Sequence, residues 1–119
     1  MLMGDMSQVK VYLCLAPMDM RKGFDTLASA VQTVLSHDPH SGHCFVFRNK
    51  AGDRVKILRW DGSGLSLYYK RLEQGQFIWP KRTKTGILQL NMAQLNVLLD
   101  GMDWCRLKTT RVKRPKIAA

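Results

Sequence analysis

"HCFVFRNKAGDRVKILRWDGSGLSLYYKRL" occupies residues 43–72, and its reading decides the fold. Three runs rich in β-branched and aromatic residues, 43–49, 54–60 and 65–72, are separated by "KAGD" and "DGSG". Glycine in such short links supplies the positive φ of a tight turn. Consecutive strands joined this way predict an antiparallel meander.

Upstream, "VKVYLCL" at 9–15 reads as a further strand, stopped by Pro17. Asp19 is placed to cap a following helix by accepting bonds from first-turn amides. Phe24, Leu27, Ala28, Val31, Val34 and Leu35 recur at three- and four-residue steps and make one helical face. "SHDPHSG" at 36–42 is a loop. Downstream, "QFIW" at 76–79 suggests a short strand before Pro80, and "ILQL" at 87–90 another. Asn91 with Gln94 three residues on has the spacing of a capping box. Met92, Leu95, Leu98, Leu99 and Met102 then form a second apolar helical face, with Gly101 near its end. The expected fold is α+β: a single antiparallel β-meander sheet with two helices packed on it and a basic C-terminal tail. Residues 1–105 are expected to form one domain and 106–119 a flexible tail.

A chain of 119 residues, 45% hydrophobic, can build one real core, burying roughly two-thirds of its unfolded surface. Its net charge is +10, from 19 Lys and Arg against 9 acids. That excess concerns partners more than fold, because a positive field attracts polyanions. Six of the basic residues (Arg106, Lys108, Arg111, Lys113, Arg114 and Lys116) fall in the last fourteen positions, which contain no acid. Cys14, Cys44 and Cys105 are odd in number and lack C-x-x-C spacing, against a disulfide framework or zinc ribbon and for a reducing compartment. No run approaches the roughly 18 apolar residues of a membrane span, and a cytoplasmic location is expected.

Phosphate contact is expected from Arg21 and Lys22 near the first helix, from Lys56, Lys70 and Arg71 on the strands, and from Lys81, Arg82 and Lys84 in the "PKRTKTG" loop. Arg111, Lys113 and Arg114 would extend it along the tail, each neutralised phosphate adding about 0.9 to the salt slope. Trp60 and Tyr68 are candidates for stacking on exposed bases, although large aromatics in small domains, with Phe77 and Trp79 among them, are more often core. Leu65, Leu67 and Tyr69 share one face of their strand, and Ser66, Tyr68 and Lys70 the other.

"HDPHSGHC" sets His37, His40, His43 and Cys44 close together. Its spacing fits no usual zinc finger, and no metal or cofactor is expected. Asp19, Asp25, Asp53, Asp61 and Glu73 mostly sit where turns or caps account for them, rather than as the convergent carboxylates of acid–base or two-metal chemistry. Ser63 in "DGSGL" lacks the G-x-S-x-G of a nucleophile elbow. The protein is therefore expected not to be an enzyme.

"APMDMRKGFDTLA", the 43–80 string and "LNVLLDGMDW" resemble a bacterial family. It is the TnpB-type accessory protein encoded by the second open reading frame of the insertion-sequence group numbered sixty-six, distinct from the RNA-guided nuclease of the same label. The resemblance spans about residues 9–104. Its motif positions fall on Asp19, Met20, Arg21, Lys22 and Gly23, and on Phe47, Arg48, Asn49, Gly52 and Asp53. They continue on Lys56, Trp60, Asp61 and Gly62, and on Tyr69, Lys70, Arg71, Leu72, Glu73, Trp79 and Pro80. The resemblance implies a role in transposition beside a separate transposase that carries the catalytic acids, so DNA and the transposase are the expected partners. The alternative is an interaction module that docks on the transposase through "MDMRKGF" and an aromatic sheet face, without touching DNA. A metal-dependent nuclease is the least favoured reading.

Overall fold

A computed structural model describes residues 8–81 and 83–103. Strand β1 spans Val11–Cys14, helix α1 Phe24–Thr33, β2 Cys44–Arg48, β3 Arg54–Trp60, β4 Leu65–Arg71, β5 Ile87–Leu90, and helix α2 Met92–Leu99. The five strands form one sheet in the order β4-β3-β2-β1-β5.

The β2–β3–β4 part is the expected antiparallel meander, with Val46 opposite Ile57 and Ile57 opposite Tyr68. The sheet as a whole is mixed, which corrects the expectation of a purely antiparallel one. β1 runs parallel to β2, with Tyr12 beside Phe45, because α1 carries the chain back along the sheet before β2 begins. β5 then pairs antiparallel with β1, Val11 opposite Leu90. The first strand among the described residues is thereby interior to the sheet.

The two helices cover opposite faces. Leu27, Val31 and Leu35 pack over Cys14, Phe45, Phe47 and Leu58. Leu95, Leu98 and Leu99 pack over Val11, Leu13, Cys44, Val46, Val55 and Ile57. β1 and β2 are consequently buried on both sides, which explains why "VYLC" and "CFVF" read as continuous apolar runs rather than as clean alternation.

Local chemistry sets the ends of the elements. Asn91 Oδ1 accepts from the Gln94 amide at 2.8 Å while Gln94 Oε1 accepts from the Asn91 amide at 2.9 Å, completing the capping box that starts α2. Asp19 does not cap α1. The N-cap is Gly23, with no side-chain bond, and Asp19 instead accepts from the Arg21 amide in the preceding turn at 2.9 Å. Four residues of intervening chain put it out of reach of the first-turn amides.

Residues 76–79 form no strand. They latch onto the β2–β3 turn instead: Phe77 N and Trp79 Nε1 both donate to Gly52 O at 3.0 Å, and Gln76 Nε2 donates to Ala51 O. Phe77 is buried in the α2-side core. The turn itself is tied by Asn49, whose Oδ1 accepts from the Gly52 and Arg54 amides and whose Nδ2 donates to Asp53 at 2.7 Å. Gly52 has φ +81°, and a Cβ there would lie 3.1 Å from Trp79 Nε1. Both facts require glycine.

Candidate nucleic-acid interface

Strand parity sorts the cations. On β4 the residues Ser66, Tyr68, Lys70 and, just beyond it, Leu72 point to the α2 side, where Tyr68 and Leu72 pack against the core. Tyr68 is thus a half-buried packing residue and not an open stacking surface. Lys70 Nζ donates to Leu99 O at 2.5 Å. It places a positive charge on the last carbonyls of α2, where a cation opposes the helix dipole favourably.

The other face of the same hairpin is different. Leu65 and Leu67 pack with the α1-side core, but this cover stops short of Tyr69, which is 47% exposed. Lys56 lies beneath it. Expected at the surface, Lys56 is instead 7% exposed. Its Nζ donates to Lys22 O at 2.8 Å and sits 4.8 Å from the Tyr69 ring centroid. Such a cation–π contact holds the ring in place from below. Arg54 Nη1 donates to Tyr69 Oη at 3.3 Å, and Arg54 stands directly across from Arg71 in the ladder. Arg54, Tyr69, Arg71 and Glu73 line one shallow concavity of about 260 Å³.

This side of the hairpin therefore presents the exposed Tyr69 and Arg71 with the half-buried Arg54, while the buried Lys56 ties the ring from below to the carbonyl of the exposed Lys22. Arg21 adjoins it but is clamped by its neighbour: Nη2 lies 2.8 Å from Asp19 Oδ2, with Nε on both carboxylate oxygens. That pair holds the Asp19 carboxyl well below the usual carboxylate range. The Arg21 side chain remains 91% exposed. Arg71 meets Glu73 only loosely, at 3.7 Å between exposed side chains, a geometry that leaves most of its charge to solvent.

The remaining expected positions lie elsewhere. Lys81 and Lys84 are exposed in the loop before β5. Trp60 is half-buried at the end of β3, with His40 edge-on at 5.0 Å. Arg82, Arg111, Lys113 and Arg114 fall outside the described residues, as do Trp104 and Cys105. Arg54 and Tyr69 were not among the sequence candidates. The parity of β4 held the signal for Tyr69, since the strand pairs Leu65 and Leu67 with it, yet their shared apolar character pointed to the core.

The histidines and acids have local roles. His43 Nδ1 accepts from the Lys10 amide at 3.0 Å, and burial lowers its pKa. His37 lies tilted against Tyr12 with centroids 4.0 Å apart. Cys44 is buried, and burial pushes its thiol up to about 11. Asp61 accepts from the amides of Ser63 and Gly64 and from the Ser66 hydroxyl, the first of these being the main reason its pKa falls. Among the described residues no three of His, Cys, Asp and Glu are grouped so as to hold a metal ion. Nor is any helix among them long and apolar enough to cross a membrane.

The family model described as "IS66 Orf2 like protein" matches residues 9–109. The chain belongs to this family. Two relatives from Sinorhizobium fredii (strain NBRC 101917 / NGR234) are similar along most of their length. "Uncharacterized protein y4jC" is 39% identical over 114 residues, covering 96% of this chain and 97% of the relative. "Uncharacterized protein y4hO" is 43% identical over 96 residues, covering 81% and 83%. No solved structure matches. Within the matched span, Asn49, Gly52, Asp53 and Trp79 build the latched turn, whereas Lys22, Tyr69 and Arg71 are exposed.

Proposed function

We propose that this protein is a non-catalytic accessory factor of insertion-sequence transposition, which grips DNA through phosphate contacts and assists a separate transposase. The family supports the setting. The observation that carries DNA contact is the Tyr69–Arg54–Arg71 surface, where an aromatic ring fixed from below by Lys56 stands beside two arginines that face each other across the ladder. Guanidinium groups at such a site meet phosphates in fork geometry, and a tyrosine face tolerates any base. Contacts of this kind position a protein on DNA and leave sequence choice to a partner.

Binding of the full chain to duplex DNA, titrated with salt, tests the reading. Changing Arg54 and Arg71 together to alanine should lower the slope of log K against log[salt] by nearly 2. A flat salt response, or no binding at about 50 mM salt, would remove the proposal. Capture of the transposase that survives nuclease treatment would then favour the docking-module alternative.

A further inference from the structure

A second basic concavity lies away from the tyrosine surface, at the carboxyl ends of β1 and β2. Its volume is about 470 Å³, and Leu15, Pro17, Arg48, Pro80, Lys84 and Thr85 are among the residues that line it. No acid is among its lining residues. Arg48 is held rigidly there. Its Nε donates to Leu15 O at 2.8 Å and its Nη1 to Asn49 O at 3.2 Å, while the guanidinium lies 5.8 Å from the Trp79 ring centroid. Trp79 is in turn fixed to Gly52 O. These two bonds use two of the five guanidinium N–H groups. Among the described residues Arg48 has no carboxylate partner. A half-buried, orientated cation with donors to spare and no counter-charge is an anion site in waiting.

The loop opposite is shaped to match. Thr83 Oγ1 accepts from Gly86 N and donates to Ile87 O, and Thr85 Oγ1 likewise bonds Ile87. These bonds set the loop's course and place Lys84 on the rim. Two cations favour a dianion over the single charge of an internal phosphodiester. The volume falls within the range of small-ligand sites and exceeds what one phosphate fills, and the proline and leucine walls suit a sugar or base.

We propose that this pocket binds a phosphate monoester carried by a nucleotide, either the phosphorylated end of a DNA strand or a free nucleotide. The site is independent of the tyrosine surface, so the two stand or fall separately. The test uses the full chain and fluorescent thymidine decamers bearing a 5′-phosphate, a 3′-phosphate or neither, with inorganic phosphate and thymidine monophosphate as competitors. At least one phosphorylated end should raise affinity about tenfold. Lys84→Ala, at an exposed position, should reduce that preference to within about twofold. Changing Arg54 and Arg71 should instead weaken all decamers alike. Direct binding of thymidine monophosphate, lost in Lys84→Ala and read by calorimetry, without any end preference among the decamers assigns the pocket to a free nucleotide. Equal binding of all decamers with no such binding of the mononucleotide overturns the proposal.

Discussion

Lys70 and Arg71 are adjacent in sequence and lie on opposite faces of β4, and exchanging each for methionine separates the two. Lys70→Met keeps the aliphatic stem on the α2 face but removes the ammonium from Leu99 O. A hydrogen bond from a charged donor is worth about 1.5–3 kcal/mol. Because Lys70 is half-buried, solvent replaces part of the lost bond, and a loss of about 1–2 kcal/mol is expected. For a domain of this size that corresponds to a fall in Tm of about 4–8 °C. The DNA salt slope should not move. Arg71→Met removes only the loose 3.7 Å pair with Glu73, so the Tm should shift by about 2 °C at most. Its salt slope should drop by about 0.9. Differential scanning fluorimetry and salt-dependent anisotropy read the two quantities. The reverse pattern, with Arg71→Met melting early and Lys70→Met lowering the slope, would refute the assignment of β4's faces.

Three further outcomes are expected. Gly52→Ala meets both a left-handed backbone and the Trp79 indole, and should cost about 2–3 kcal/mol in urea unfolding, with little change in m. The Asp61 carboxylate is more acidic folded than unfolded. Its contribution is therefore full above the ordinary carboxylate range and is lost as pH falls through the folded value; Asp61→Asn should flatten the acid limb of stability below about pH 4. Cys14 and Cys44 are buried, with thiols raised by burial. Both should resist iodoacetamide in the native protein near pH 8 and react fully in urea, as peptide mass spectrometry would show.

The meander was legible because its turns carry glycine and its strands alternate. Both helices and the Asn91 capping box were legible from periodicity and spacing alone. The partner of β1 was not: its apolar run states that it is buried, and nothing local states which strands bury it. The segment at 76–79 misled because aromatic content suits a strand and a latch equally, and only the approach of Gly52 decides between them. Among site residues, Lys56 and Lys70 look like surface charges in a sequence. The backbone carbonyls that receive them, Lys22 O and Leu99 O, are 34 and 29 residues away.

The placement of β1 also orders assembly. Its parallel neighbour returns only after α1, and its antiparallel neighbour is synthesised near the end of the domain. The β2–β4 hairpins can close on the ribosome soon after they emerge, since local pairings form faster than distant ones. Until β5 arrives, Val11–Cys14 presents an unzipped apolar margin. A nascent chain halted before Ile87 would be the sticky, chaperone-dependent species of this protein.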